Sequence, residues 1–370
     1  MAQKGSGEVF VIVGDNGSAL DLALAAKELE DRHIPVNWFA DPKGKARTDV
    51  LEKKGISYAT LSPGEYKGPK PSVILCGTSS GYAESQVAWT NFGKANEVPV
   101  LWYEDLWGTG EQANERGADP NVMLTVDELA SQIVSNVRPH IGTIEVGKPS
   151  FGAIPPIEEI PLIRSRIRER LGVSQSDFLV SWGFQGEPNK MAVAHVGEIA
   201  RTIPIDKDTI VAWRPHPKHL KKEELWEKLV SCPIKFVPNA REVDLIELYL
   251  SSNAVVVPFG GTDGYKAVLR GIPTITPLFP SGEFAKRMYD YDDEEARIAS
   301  GFINGVPPLL IEDPNWGAEN PSRVGRLLSK IRNDEIALRH YTLEHRSLPF
   351  KDLEKPGAAV RIADAVMKFL

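Results

Sequence analysis

Two segments in the second half of the chain combine residues that suit an anionic ligand. The segment Asn253–Pro277 is predicted to be a buried strand, a glycine-rich turn and a helix. Its turn residues are Gly260, Gly261, Thr262, Asp263 and Gly264. Glycines let the backbone approach a ligand, and a helix N-terminus favours a phosphate. The segment Trp213–His219 places Arg214 and His216 directly after a predicted strand, where an arginine suits a diphosphate.

A third anion-binding candidate and three candidate bases follow other predicted strands. Lys190 ends the loop after the strand Phe178–Trp182. Asp15 follows the first strand, Asp105 follows the strand Val98–Tyr103, and Glu84 opens a helix. A carboxylate within hydrogen-bond reach of a hydroxyl can act as its general base. Asp15 and Asp105 rank above Glu84, which also suits a solvated first helical turn. Each of these loops has an ordinary alternative as a packed turn or a solvated surface.

Composition narrows the function classes. The formal net charge of −7 argues against a nucleic-acid-binding surface. Two cysteines and seven dispersed histidines favour no metal site, and neither a G-x-G-x-x-G nor a P-loop fingerprint is present, so no metal or cofactor is expected. No apolar run reaches 18 residues, and the first one is too short for a signal peptide. A cytoplasmic protein without a transmembrane segment is expected.

Short apolar runs alternate with amphipathic segments along the chain, which predicts an α/β protein with parallel, doubly wound sheets. The alternation stops between Arg138 and Pro161, where prolines and glycines cluster, and this stretch is predicted to be a linker with its flanks. The predicted domains are therefore residues 1–145 and residues 146–370, the second ending in a helical tail from Ser322.

The segment around the glycine-rich turn resembles the donor-binding region of GT-B fold glycosyltransferases and of non-hydrolysing UDP-N-acetylglucosamine 2-epimerases. Those proteins show a strand, a Gly/Ser-rich turn and a helix of the form E-A-x-x-x-G-x-P, matched here by Ala267, Gly271 and Pro273. The position of the family's acid is Lys266, which accepts no hydrogen bond. Asp263 is the candidate substitute.

The resemblance implies two Rossmann-like domains facing a cleft and a metal-independent glycosyltransferase. It assigns the diphosphate of a nucleotide sugar to Arg214, Lys190 and the Gly260–Gly264 turn, and an acceptor hydroxyl to the N-terminal domain. A nucleotide-sugar 2-epimerase is the first alternative, because it shares the fold and uses carboxylates to move a proton. A binding protein without turnover is the second, and Lys266 favours it.

Overall fold

The computed structural model describes residues 7–79, 83–107, 117–183, 209–214, 235–237, 242–257, 262–277, 317–318, 321–334, 353 and 355–370. Contacts divide the chain into two units. The first comprises Met1–Ala153, Asp293–Gly301 and Pro349–Leu370, and the second comprises Ile154–Asp292 and Phe302–Leu348.

Each unit is built around one parallel sheet. The first contains β1 (Val9–Val13), β2 (Val36–Ala40), β3 (Tyr58–Ala59), β4 (Val73–Gly77), β5 (Val100–Tyr103), β6 (Val122–Thr125) and β7 (Gly142–Glu145). The second contains β8 (Phe178–Gly183), β9 (Thr209–Arg214), β10 (Lys235–Phe236), β11 (Ala254–Val256), β12 (Thr274–Pro277) and β13 (Gly317–Ala318). The described α-helices are α1 (Asn16–Asp31), α2 (Ala83–Ala95), α3 (Glu128–Val137), α4 (Ile160–Leu171), α5 (Leu245–Leu250), α6 (Thr262–Leu269), α7 (Pro321–Asn333) and α8 (Ala358–Met367).

The strand orders confirm two doubly wound Rossmann-like sheets. The first runs β3-β2-β1-β4-β5-β6-β7 and the second runs β10-β9-β8-β11-β12-β13. All described strand pairs are parallel. In both sheets the direction of winding reverses beside the first strand, between β1 and β4 and between β8 and β11. Ligands of open α/β sheets bind at the carboxyl ends of the strands that flank such a switch point.

The central strands are continuous apolar runs because helices cover both of their faces. Every residue of β1 and β4 is buried. On one face, Phe10, Phe39 and Trp89 pack their rings together, with centroids 4.6–5.8 Å apart. The three rings pack α2 against β1 and β2 and bury this face of the sheet.

The predicted linker between Arg138 and Pro161 contains structure that the sequence did not indicate. Strand β7 lies within it and pairs with β6 from Val122↔Gly142 to Thr125↔Glu145. Strand β7 has a single neighbour in the sheet, and three of its four residues are polar or glycine, so no buried apolar run marks it.

The C-terminal helix belongs to the first unit, which differs from the expected division at residues 145 and 146. Helix α8 packs against α1, and Arg32 forms an ion pair of 2.6 Å with Asp364. Arg361 donates from Nε to the carbonyl of Val146 at 2.9 Å. The apolar stripe of α8 predicts a buried helix face, but periodicity carries no information about which sheet or helix covers that face.

No helix among the described residues is both long and apolar enough to cross a membrane.

Candidate functional site

The switch point of the first sheet brings together two side chains that lie 64 positions apart. Asp15 follows β1, and Ser79 follows the adjacent strand β4. The Oγ of Ser79 donates to Oδ2 of Asp15 at 2.6 Å. A Cβ at Gly77 would lie only 2.6 Å from Oγ of Ser18, so glycine allows the end of β4 to approach α1 this closely. The polar edge of the sheet is therefore tightly packed around Asp15.

Asp105 lies at the same edge, two residues beyond β5. Its side chain is 14% exposed, and a Cβ at Gly17 would clash with its Oδ2. Glycine at this position therefore lets the carboxylate lie against the first turn of α1. Burial raises the pKa of Asp105 to about 6, because water no longer solvates its charge. Lys148 opposes this rise, while Asp21 and Asp15 add to it.

A buried ion pair lies directly behind Asp105. Lys148, 2% exposed, donates from Nζ to Oδ2 of Asp21 at 2.9 Å, and Asp21 is 0% exposed. The hydroxyl of Tyr103 donates to the same oxygen at 3.0 Å, and the backbone N–H of Ser150 donates to Oδ1. Lys148 also donates to the backbone carbonyl of Asp105 at 2.7 Å, and its Nζ lies 3.8 Å from Oδ2 of Asp105. These contacts connect α1, β5 and the loop after β7.

The aromatic residues that surround Asp105 in sequence belong to the core. Trp102, Tyr103 and Trp107 are each at most 5% exposed. Trp107 donates from Nε1 to the carboxylate of Asp127 at 3.0 Å, and that carboxylate accepts from the N–H of Ala130 to cap α3. The segment that carries Asp105 is therefore anchored in the protein on both sides.

Glu84 differs from the other two candidate bases. It lies in the first turn of α2 with its side chain 74% exposed, and it pairs with Lys43 at 3.8 Å. Its charge is solvated, whereas that of Asp105 is largely removed from water. The structure brings Asp15 and Asp105 to one edge of the first sheet and leaves Glu84 on an exposed surface.

In the second unit, strand register places two predicted features side by side. Gly183 at the end of β8 pairs with Arg214 at the end of β9, and β8 flanks the switch point. Helix α6 begins at Thr262, after β11 on the other side of that point. The other donor-site predictions lie outside the described residues. They are Lys190, His216, Gly260, Gly261 and the side chains of Arg214 and Thr262.

The two charged residues at the start of α6 form a pair. Nζ of Lys266 contacts Oδ1 of Asp263 at 3.0 Å, with the side chains 14% and 38% exposed respectively. Asp263 is our candidate substitute for the family's acid. Its charge is paired with that of Lys266, which occupies the position of that acid. Gly264 is buried, and a Cβ there would meet Val257 at an ordinary 3.4 Å. Its role in the described structure is packing of α6 on the sheet.

The A-x-x-x-G-x-P match has a structural explanation. The N–H of Ile272 bonds to the carbonyl of Ala267, and the N–H of Gly271 bonds to that of Val268. With a φ of +71° at Gly271, this is a Schellman helix end. Pro273 then directs the chain into β12. These three residues end a helix, so their presence indicates the fold of the segment rather than a ligand.

Sequence reasoning missed Asp21, Ser79 and Lys148. Asp21 carried a usable indication, because it is an acid in the apolar stripe of α1, four residues before Ala25. Lys148 gave none, since a lysine in a Gly/Pro-rich stretch is normally exposed. In the described part of the chain, no group of three or more His, Cys, Asp and Glu residues could hold a metal ion.

No family model matches the chain, and no curated protein matches it. Several solved structures match the chain. MurG of Acinetobacter baumannii is 11% identical over 98% of this chain and 99% of its own, with a TM-score of 0.59. UDP-GlcNAc 2-epimerase of Neisseria meningitidis, bound to UDP-GlcNAc, is 13% identical over 98% and 100%, with a TM-score of 0.59. MnaA of S. aureus, in a co-structure with UDP, is 13% identical over 98% and 96%, with a TM-score of 0.65.

The chain has the GT-B fold. Coverage of nearly the whole length of each protein means that both sheets, and not one Rossmann-like half, are shared. At these identities the comparison establishes the fold and not the chemistry of the protein.

Proposed function

We propose that this GT-B protein is a glycosyltransferase that moves a sugar from a nucleotide-sugar donor to an acceptor hydroxyl. One observation carries the proposal: a desolvated carboxylate, Asp105, lies at the carboxyl edge of the first sheet with a pKa of about 6. Such a group is ionised at neutral pH and is a stronger base than an exposed aspartate. It is therefore suited to take the proton of an attacking hydroxyl.

In the proposed reaction, the acceptor hydroxyl donates a hydrogen bond to Asp105. As its oxygen bonds to the anomeric carbon of the donor, the proton passes to that carboxylate and the bond to the nucleoside diphosphate breaks. Arg214, Lys190, His216 and the Gly260–Gly264 turn stabilise the charge on the leaving group, in place of a metal ion. Asp15 is the second candidate base.

The compared structures support a uridine nucleotide as the first donor to test. MurG is a glycosyltransferase, and the other two structures hold UDP-GlcNAc or UDP. We expect UDP to raise the melting temperature of this protein, since a ligand at a hundredfold excess over its Kd stabilises by about 2.7 kcal/mol. Arg214→Ala should abolish that rise. A panel with GDP, CDP, ADP, TDP and CMP tests the other bases, and a protein that responds to none of them would contradict the proposal.

The catalytic assay measures UDP release from UDP-GlcNAc, with water or an added sugar as acceptor. Asp105→Asn should lower the rate by about 10²–10⁴-fold, whereas the matched control Glu84→Gln should stay near wild type. Equal rates in the two variants would exclude Asp105 as the base.

A nucleotide-sugar 2-epimerase is the second candidate. Two observations favour it: two of the compared structures are UDP-GlcNAc 2-epimerases, and Asp15 lies at the same sheet edge as Asp105, where its charge helps to raise the pKa of Asp105. In the epimerase reaction these two carboxylates would remove and return the proton. The assay in D₂O separates the candidates. An epimerase introduces deuterium at C2 of the sugar without any acceptor, while a transferase leaves C2 unlabelled.

A further inference from the structure

Lys148 divides its interactions between the backbone and the side chain of Asp105. Its Nζ donates to the carbonyl of Asp105 at 2.7 Å, which holds the main chain at this residue. The same Nζ lies 3.8 Å from Oδ2 of Asp105, which is an ion-pair distance rather than a hydrogen bond. An ammonium at this distance stabilises the ionised carboxylate by charge alone.

Lys148 is itself held in place by Asp21. The carboxylate of Asp21 accepts from Lys148, Tyr103 and the N–H of Ser150, which occupies both of its oxygens. The ring of Phe151 lies 5.7 Å from Nζ on a further side. The ammonium is therefore immobilised and dry, conditions under which its field acts strongly on a neighbouring charge.

The charged and titratable groups around Asp105 oppose each other. Asp15 after β1 and Asp21 on α1 disfavour its charge, and Lys148 after β7 favours it. Tyr103 on β5 stays neutral, because burial raises its pKa well above the usual value. Without Lys148, two negative neighbours and the loss of hydration would shift Asp105 further towards its protonated form, and a protonated carboxyl accepts no proton.

We propose that Lys148 is a positioning residue for Asp105: it holds the backbone of Asp105 and keeps its carboxylate ionised and ready to accept a proton. The role as a base rests on the proposed function. The effect of Lys148 on ionisation of Asp105 stands apart from it and is measurable without a substrate.

The test is a titration of the protein labelled with [4-¹³C]aspartate, in which the Asp105 signal is identified by its loss in Asp105→Asn. The wild-type midpoint is expected near 6. In Lys148→Met it should rise by about one unit or more, and Lys148→Arg should restore it towards 6. Lys43→Met, which removes an exposed lysine, should leave it unchanged. A folded Lys148→Met protein with an unchanged midpoint would overturn the proposal.

Removal of Lys148 alone leaves Asp21 buried and uncompensated, so a second variant guards against misfolding. Asp21→Asn combined with Lys148→Met replaces the ion pair by neutral groups of similar size. Its Asp105 midpoint should also rise, by less than in the single variant, because the lost charge of Asp21 acts in the opposite direction. A midpoint at or below the wild-type value in this variant would also refute the role of Lys148.

The UDP-release assay supplies the functional readout. The acidic limb of the rate profile should move to higher pH in Lys148→Met, by the same amount as the carboxyl midpoint. A shifted midpoint in a protein that binds no nucleotide would sustain the role of Lys148 and refute the proposed function. An unshifted Asp105 midpoint in Lys148→Met, in an enzyme that binds nucleotide and releases UDP, would refute the role of Lys148 and sustain the proposed function.

Discussion

Among the described residues, two basic side chains are fully buried, one in each unit, and they lie at opposite ends of their sheets. Lys148 lies at the carboxyl edge of the first sheet and meets the carboxylates of Asp21 and Asp105. Arg168 of α4 lies at the amino edge of the second sheet. Its guanidinium donates to the carbonyls of Ser174, Asp177 and Ser251 and to the side chain of Asn253, residues that precede β8 and β11.

The two cations differ in what their charge does. Arg168 meets neutral acceptors, and burial lowers its pKa to about 10, with a further contribution from Arg164 that Asp177 opposes. It ties loops together at an edge where parallel α/β sheets bind no ligand. Lys148 is placed where it alters the protonation of another group, at the edge where ligands bind. Burial of a charged side chain alone therefore does not indicate a function. Its location at the carboxyl edge of the sheet and its contact with a titratable group, such as Asp105, do indicate one.

Arg168→Met should give the largest loss of stability, about 4–6 kcal/mol in the second unit. It leaves three backbone carbonyls and an amide oxygen without their charged donor. Urea unfolding, with hydrogen exchange to assign the loss to a unit, measures it. The Asp105 midpoint should stay near 6 in this variant; a shift there would break the distinction between a structural and a functional cation.

Lys148→Met should destabilise the first unit by about 3–5 kcal/mol, because Asp21 then remains buried without its partner. The same unfolding and exchange measurements apply. Restoration of most of the stability by adding Asp21→Asn would attribute the loss to the unpaired charge. Failure of the double variant to recover would indicate that packing of the lysine side chain, rather than its charge, matters.

Asp105 should make the stability of the first unit depend on pH. Its pKa is higher in the folded protein than the ordinary value of 3.8, so its stabilising contribution is complete below that value and is lost as pH rises through about 6. The difference in unfolding free energy between Asp105→Asn and wild type should therefore grow in favour of the variant by about 2 kcal/mol between pH 4 and pH 7. A constant difference over this range would show that Asp105 titrates normally.

Lys266→Met should have the smallest effect, less than about 1 kcal/mol on the unfolding free energy. Its partner Asp263 is 38% exposed, so water solvates the carboxylate when the lysine is removed. Comparison with Lys148→Met under the same conditions isolates the effect of burial on two lysine–aspartate pairs of similar distance. A loss of about 3 kcal/mol or more would mean that the α6 pair contributes as much stability as the buried pair.

The sheets and one part of the site were predictable from local pattern. Apolar runs such as Val9–Val13 predict buried parallel strands, and polar residues directly after them, such as Asp15 and Asp105, are placed at one sheet edge by topology alone. Strand β7 was not predictable, because this edge strand has no apolar run. The return of α8 to the first unit was not predictable either, because the apolar stripe of a helix does not indicate which element covers it.

The sequence by itself determined the α/β class, the presence of two α/β units and the place of Asp15 and Asp105 after predicted strands, since these depend on periodicity and strand direction. Only the tertiary structure distinguished the candidate carboxylates from one another. Glu84 and Asp105 are both carboxylates, but the side chain of Glu84 is 74% exposed and that of Asp105 is 14% exposed. Folding brings Lys148 and Asp21 close to Asp105, although they lie 43 and 84 residues away in the sequence. A side chain's pKa depends on hydration and on charges nearby in space, and neither is encoded by local spacing along the chain.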